Sequence, residues 1–456
     1  MKRLLITFIP ALALPFTLRA DAPNVFAIRG ARIVTAASQP IESGTVVIRR
    51  GVLEAVGASV AVPSDADVID GAGYTVYPGL IDLGNMRAAD QPAPQMPQNM
   101  RTSAEVERWK RTQILKPQSR AADAVKVDDV ELTRLASAGI TTVLALPAGE
   151  VISGQSALVN IAAPPDDPQI GNIVDQRRGL IVIKSPVALH VSFPNQPRAA
   201  GNAYPQSLMG VIAFVRQSFL DAQHYSLVRP EQARGRGTAG SSTQPIADDP
   251  ALEAMQPFLN RKLPVVFEAN QARSILRAVK MAKELSLDAI VAGGRGATDV
   301  AGDLKAQSVR VIYSLNYPQR PRNLAPDADE TLEALRDRAD APKTPAALAK
   351  AGVTFAFESA GLSDPKDFVK NAAKAIKAGL AEDAAIRALT IDAATIAGVG
   401  DRLGSIEKGK TANLVVADGN LFEERTKITR VFVEGRAVAL EPAAAPTGRG
   451  RGRGGM

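Results

Sequence analysis

Residues 76–86 read Val-Tyr-Pro-Gly-Leu-Ile-Asp-Leu-Gly-Asn-Met, an apolar run with a Pro-Gly turn near its start. After Asp82, the positions at Gly84 and Met86 carry neither an imidazole nor a carboxylate. The whole chain of 456 residues contains two histidines, His190 and His224, and no cysteine. Thiolate metal sites and cysteine nucleophiles are therefore excluded, and a histidine-based site would have few residues to use.

On the N-terminal side of this run, short apolar segments are joined by tight turns. Residues 25–34 and 44–56 alternate in this way around Arg29-Gly30 and Arg50-Gly51, and glycine supplies the positive φ that such hairpins need. A matching set, residues 412–417 and 430–438, closes the chain. Two β-rich ends around a different middle predict one small β-sandwich assembled from both termini.

The middle of the chain alternates buried strands with helices. Nearly continuous apolar runs at 141–146, 264–268, 289–292, 309–313 and 353–357 are typical of strands buried on both faces. Between them, Ile275, Val279 and Ala282 fall on one helical stripe, and a second helix after Asp364-Pro365 does the same. This alternation predicts parallel βα units, and it fits a closed barrel or an open doubly wound sheet equally well.

The PGLID run at 78–82 and the C-terminal stretch 389–416, with Gly-Ser-Ile-Glu-Lys-Gly-Lys at 404–410, resemble the amidohydrolase superfamily. The resemblance extends over almost the whole chain, from about Val25 to Val438, and is to the exported, imidazolonepropionase-like members. It implies an α/β fold: a (β/α)8 TIM-like barrel beside a composite β-sandwich built from both chain ends. The implied divisions are a signal peptide at 1–20, sandwich segments at 21–77 and 397–440, a barrel at 78–396 and an Arg/Gly tail at 441–456.

The sequence departs from the superfamily at the positions where its members bind a divalent metal such as zinc. The resemblance implies a His-x-His pair where this chain has Gly84 and Met86, and further ligands near Glu268, Gly294 and Ala360. Metal-dependent hydrolysis needs about three His, Asp or Glu ligands to lower the pKa of a bound water. We therefore expect no metal site and no cofactor, although Glu268, Glu358 and His190 could hold Mn²⁺ or Mg²⁺ weakly.

Polar residues at the predicted strand ends are the candidate site residues. Glu268 and Glu358 are the candidate catalytic pair, as a general acid and base that work without metal. A structural reading pairs each of them with Arg295, Lys184 or a backbone amide. The candidate ligand-binding residues are Asn85, Lys184, His190, Asn270 and Arg295.

These departures predict a catalytically degenerate amidohydrolase-like protein. Its expected role is to bind a small molecule, or to pair with an active relative as a structural subunit, in a homo-oligomer or hetero-oligomer. The alternative is an active hydrolase of non-peptide carbon–nitrogen bonds, in a cyclic amide or a dipeptide-like substrate, with a non-standard site. The enzyme question stays open at this point.

The two chain ends bear on location and partners. Lys2 and Arg3 precede an apolar run at 4–18 and small residues at Ala20 and Ala22, the pattern of a secretory signal; an uncleaved anchor is the alternative. We expect an exported protein, periplasmic or extracellular, without stable membrane insertion. The formal charge of +7 includes six cationic side chains in the ends, at positions 2, 3, 19, 449, 451 and 453, so the body is near neutral and no nucleic-acid partner is expected.

Overall fold

The computed structural model describes residues 25–87, 96–97, 99–161, 174–175, 180–198, 201, 203–235, 248–325 and 327–441. The predicted signal peptide at 1–20 lies outside the described residues, as does the predicted tail beyond residue 441. No helix in the described ranges is both long enough and apolar enough to cross a bilayer.

Strands form both ends of the described chain and alternate with helices between them. The strands are β1 (Val25–Ile33), β2 (Ile41–Arg49), β3 (Val52–Gly57), β4 (Asp67–Asp70), β5 (Thr75–Pro78), β6 (Leu80–Arg87), β7 (Ile140–Leu146), β8 (Ile152–Gln155), β9 (Ala157–Ile161), β10 (Val174–Asp175), β11 (Leu180–Lys184), β12 (Leu189–Ser192), β13 (Val265–Ala269), β14 (Ala289–Gly293), β15 (Arg310–Ser314), β16 (Phe355–Glu358), β17 (Leu414–Ala417), β18 (Ile428–Val433) and β19 (Arg436–Ala437).

The helices lie mostly between β12 and β17. They are α1 (Ser103–Ile114), α2 (Ala121–Ala124), α3 (Asp129–Ser137), α4 (Leu208–Gly235), α5 (Pro250–Ala254), α6 (Gln256–Leu259), α7 (Ala272–Glu284), α8 (Ala301–Ala306), α9 (Leu332–Asp340), α10 (Thr344–Ala351), α11 (Lys366–Lys377), α12 (Glu382–Leu389) and α13 (Ile391–Ile396), with 3₁₀ turns at Ala297–Val300 and Ala341–Lys343.

Both ends of the chain contribute to one sheet, in the order β19-β18-β17-β5-β1-β2-β3, with β4 also paired to β1. The two halves meet where β17 runs antiparallel to β5, with Leu414 opposite Pro78. Apolar side chains from both halves, such as Ile28, Ile48 and Phe432, share one core cluster, so the sheet curves around a common core. The prediction that a β-sandwich is assembled from both chain ends is confirmed in its composition from both ends, and the strands of the two ends pair in one sheet.

The middle of the chain forms the barrel. Strands β12, β13, β14, β15 and β16 form a parallel ladder in sequence order, and β6 pairs in parallel with β7. At the closing edge, β6 lies against β16, and the backbone N–H of Ser359 donates to Oδ1 of Asp82 at 2.9 Å. The barrel reading of the strand–helix alternation is therefore correct, and the open-sheet reading is wrong.

One position of the ring departs from the expected parallel βα units. Strand β9 pairs antiparallel with β7, and β8 pairs antiparallel with β12. Ser156 alone separates β8 from β9; its N–H donates to Ala188 O at 2.9 Å and its carbonyl accepts from Val187 N at 2.8 Å. A single bent antiparallel segment thus joins the two halves of the ring, and β11 pairs with β9 at the edge of the sheet.

The interior of the barrel is filled by aliphatic side chains. Ile81, Leu144, Val266 and Ile290 from the strands share a buried cluster with Ile396 at the end of α13. Because these side chains exclude water from the barrel axis, the polar groups at the strand ends rest on an apolar floor.

Candidate functional site

A pocket opens at the carboxyl ends of the barrel strands, with a cavity volume of about 210 Å³. This is the end of a barrel where loops converge and where barrel proteins place their sites. The lining residues are Leu83, Leu146, His190, Glu268, Asn270, Ala292, Gly293, Arg295, Ile312, Ser314, Asn316, Glu358 and Ala360. Five of the seven predicted site residues are therefore brought together in one pocket, while the roles assigned to them stay predictions.

Glu358 fills the space beside Gly84. It ends β16 and is buried, with 6% of its surface exposed. A Cβ atom built on Gly84 would lie 2.5 Å from Oε2 of Glu358 and 2.9 Å from its Cβ. The missing side chain at position 84 thus makes room for the glutamate, and the histidine implied there by the family resemblance would collide with it.

Asp82 fixes the position of the two strands that meet here. Its side chain is fully buried, and Oδ1 accepts hydrogen bonds from the N–H groups of Gly84 at 3.2 Å and Ser359 at 2.9 Å. A buried carboxylate is stabilised by such main-chain donors. These contacts give Asp82 a structural role, because they hold β6 and β16 in register next to Glu358.

Glu268 and Asn270 come from the end of β13. Both side chains are exposed at the pocket, and Asn270 lies directly against the next strand, β14. A Cβ on Gly293 would lie 2.5 Å from Oδ1 of Asn270, and Gly293 has φ +94. The positive φ and the close contact both require glycine at 293. Because Gly293 has no side chain, the side chain of Asn270 can pack directly against the main chain of β14.

His190 sits in β12 with 2% of its surface exposed, opposite Val266 of β13 and Gly154 of β8. It is the one imidazole that lines the pocket, since His224 is an exposed residue of α4. Both of these residues belong to strands that pair with β12, so the barrel itself fixes the position of His190.

Ser314 and Asn316 were not identified from the sequence, although both line the pocket. Nδ2 of Asn316 donates to the carbonyl of Ala360 at 3.1 Å, and Ala360 has a positive φ of 26°. The contact joins the loops after β15 and β16. The available signal was the pair of polar residues that follow the apolar run 309–313, at a position where barrel strands place site residues.

Lys184 is a correction to the predicted binding set. It ends β11, outside the ring, and its Nζ donates to Ala397 O at 3.0 Å and Gly398 O at 3.4 Å. Burial lowers the pKa of this lysine from its usual value, with Arg402 as a further cause. Lys184 therefore binds the main chain after α13 and is not among the residues that line the pocket.

The expected pairing of the glutamates with Arg295 or Lys184 is also not found. Among the residues that the structure describes, neither cation forms an ion pair within 4.0 Å with either glutamate. Asn85, the remaining predicted residue, belongs to β6, but its side chain lies outside the described atoms.

The fit of a zinc site can be tested on the donors that are present. In the described ranges, no three His, Asp or Glu side chains are grouped so that they could hold a metal ion. A histidine at position 84 has no room while Glu358 keeps its place. The described side chains therefore do not fit a zinc site with three protein ligands.

Comparisons with known proteins agree with this architecture. A model of the amidohydrolase family matches residues 305–438. Over 415 residues the chain is 24% identical to "Amidohydrolase tasK" of Hapsidospora irregularis, covering 88% of this chain and 40% of the relative. The chain thus spans about 40% of the length of that curated relative.

Two solved structures show the same fold. An amidohydrolase from Thermotoga maritima aligns with a TM-score of 0.71 at 24% identity, over 91% of this chain and 99% of the other. A prolidase complexed with N-methylphosphonate-L-proline aligns with a TM-score of 0.54 at 19% identity, again over 91% and 99%. At these identities the likeness establishes the fold alone.

The expectation that the protein uses no cofactor is contradicted by these comparisons. The family whose model matches residues 305–438 is that of the amidohydrolases, for which the resemblance implies a divalent metal such as zinc. Missing histidines in one sequence were too narrow a basis for a cofactor-free assignment. The cofactor of this chain is not shown by the comparison.

The family match and the fold coincide in the same part of the chain. Residues 305–438 include β15 and β16, which close the barrel, and β17 and β18, which join the composite sheet. The curated relative extends the similarity over most of the remaining chain. This chain therefore matches the amidohydrolase family over residues 305–438 and is similar to an amidohydrolase over most of its remaining length.

Proposed function

We propose that this protein is a non-hydrolytic amidohydrolase-like protein that binds a small molecule in the pocket at the mouth of its barrel. The observation that carries the proposal is the contact between Glu358 and Gly84, because a protein carboxylate fills the place of a side chain that the family would use for catalysis. The surrounding pocket keeps a cavity of about 210 Å³ with polar side chains on an apolar floor.

Such a pocket supports binding better than hydrolysis. Hydrolysis of a carbon–nitrogen bond needs an activated water and a polarised carbonyl. Binding needs a concave, partly apolar surface and a few well-placed polar groups, and these are present in His190, Asn270, Ser314 and Asn316. Aliphatic packing stabilises the barrel core, so the fold does not depend on the metal-binding residues that hydrolysis would need.

The test is a turnover assay on the full chain against cyclic amides and dipeptides, with Zn²⁺, Mn²⁺ or Mg²⁺ supplied in separate series. The expected rate equals that of the double variant Glu268→Ala/Glu358→Ala, which serves as background. Turnover in the wild type that Glu268→Ala lowers about tenfold or more, with the circular dichroism spectrum unchanged, would overturn the proposal. That result would establish the alternative, a carbon–nitrogen hydrolase with a non-standard site.

Location and assembly belong to the same proposal. We propose export, supported by the basic and apolar pattern of residues 2–22, and assembly either as a homo-oligomer or with a histidine-complete relative. N-terminal sequencing of protein from the periplasmic fraction should give a chain that begins near residue 21. Retention of Met1 in the cytoplasmic fraction would contradict export, and light scattering of the purified protein measures its assembly.

A further inference from the structure

Arg295 places a cation at the mouth of the pocket. Its side chain is exposed and the residue lines the cavity. Within the described part of the chain, no carboxylate lies within 4.0 Å of its guanidinium nitrogens. Arg320, in the chain after β15, by contrast forms an ion pair with the buried carboxylate of Glu330 at 2.9 Å.

The main chain around Arg295 is held in place by a compact turn. The N–H of Gly294 donates to Ala269 O at 3.0 Å, and the N–H of Gly296 donates to Asn270 O at 2.7 Å. The carbonyl of Arg295 accepts from the hydroxyl of Thr344 at 3.3 Å. With both flanks tied to the end of β13, the base of the arginine is fixed at the mouth, which lowers the entropy lost when a ligand binds.

The other charges of the pocket have the opposite sign. Glu268 and Glu358 come from β13 and β16, whereas Arg295 follows β14. One cavity is therefore lined by a cation and two carboxylates, together with the amides of Asn270 and Asn316. Its volume of about 210 Å³ is below the range of roughly 300–1,000 Å³ for sites that take drug-sized ligands.

We propose that the pocket selects a small molecule that has one free carboxylate, which Arg295 binds, and N–H donors at its other end, which face the glutamates. The inference rests on the proposed function and names the class of its ligand. A guanidinium matches a carboxylate through two parallel N–H···O bonds, a geometry that an amide of the same size cannot accept.

The experiment compares two probes that differ only at this group, glycylglycine and glycylglycinamide, by calorimetric titration of the full chain. The wild type should bind the acid about tenfold or more tightly than the amide, the factor expected for a charge-assisted hydrogen bond. Arg295→Gln should remove this difference, and Arg430→Gln, at an exposed position of the composite sheet, should keep it.

Three results overturn the inference: no measurable binding of the acid, equal affinity for acid and amide, or equal affinities in the wild type and Arg295→Gln. Hydrolysis of glycylglycine is followed separately by release of glycine. Glycine release would defeat the proposed function, and a loss of acid selectivity in Arg295→Gln would still support the role of the arginine.

Discussion

At the scale of single residues, the absence of a side chain at position 84 is what allows Glu358 to lie against β6. Gly84→Ala places a methyl group 2.5 Å from Oε2 and 2.9 Å from Cβ of the glutamate, in a wall of the pocket that is already packed. We expect a loss of about 1–3 kcal/mol in the free energy of unfolding, the usual cost of overpacking. Urea denaturation of the variant measures it.

Gly302→Ala is the matched control for that measurement. Gly302 lies in α8, and a Cβ there meets nothing within 4 Å. Alanine is favoured over glycine in a helix by up to about 1 kcal/mol, so this variant should be unchanged or slightly more stable. Equal effects at 84 and 302 would mean that Glu358 moves aside without cost.

Asp82 gives a second prediction at this scale. Asp82→Asn keeps the shape but removes the charge that accepts from Gly84 and Ser359, so we expect about 1.5–3 kcal/mol of destabilisation. Thermal unfolding against Asp401→Asn, an exposed position, checks the value. A melting temperature equal to that of the control would show that the charge of Asp82 contributes nothing to the junction of β6 and β16.

Residue-level predictions from the sequence depended on knowing where strands end. His190, Glu268 and Glu358 lie in the pocket because polar residues at the carboxyl end of a barrel strand face a common mouth. Lys184 also ends a strand, but among the described strands β11 pairs with β9 and β10, and Lys184 is not one of the residues that line the pocket. Nothing local in the sequence separates a ring strand from an edge strand.

At the scale of elements, β15 is tied to the helical layer by a buried tyrosine. The hydroxyl of Tyr313 donates to Ala341 O at 2.5 Å, and burial raises its pKa to about 12, with Thr344 and Arg295 opposing the shift. Between pH 10 and 12 the hydroxyl of Tyr313 therefore keeps its proton in the folded state, whereas in the unfolded chain, where its pKa is near 10, it has lost the proton. Stability is full below pH 10 and falls as the pH rises from 10 towards 12, by about 2–3 kcal/mol.

Tyr313→Phe tests this assignment. The variant should lose about 1 kcal/mol at pH 8 with the hydrogen bond, and its stability should decline less steeply than that of the wild type between pH 10 and 12. Urea denaturation across this range provides the comparison, with Tyr204→Phe, at an exposed position, as the control. An unchanged alkaline slope in Tyr313→Phe would assign the titration to other groups.

Helices and parallel strands followed their sequence patterns closely, because both are set by local periodicity. The stripe of Ile275, Val279 and Ala282 is buried in α7 as expected. The bent β8–β9 segment did not follow from any pattern, since its direction depends on pairing with β7 on one side and β12 on the other. Strand direction is a property of the ladder, so a buried apolar run cannot show it.

At the scale of the whole molecule, a buried polar network joins the composite sheet to the barrel. Nδ2 of Asn413, beside β17, donates to Oγ1 of Thr142 at 3.2 Å and to Oδ1 of Asn160 at 3.0 Å, while its Oδ1 accepts from Glu434 N at 2.9 Å. Nδ2 of Asn160 donates in turn to Oε1 of Glu434 at 3.0 Å. Each buried group has a partner, the condition under which such a network stabilises a fold.

Asn413→Ala should therefore weaken the junction between the two parts. It removes three hydrogen bonds and leaves the N–H of Glu434 without its acceptor, so we expect a loss of about 1–3 kcal/mol. Hydrogen exchange should accelerate in β17 and β18 more than in β13 and β14, because the sheet loses its anchor while the parallel ladder keeps its own bonds. Asn260→Ala, at an exposed position, should leave both regions unchanged. An equal acceleration of hydrogen exchange in the sheet and in the barrel would contradict this prediction. It would show that the two parts unfold as one cooperative unit.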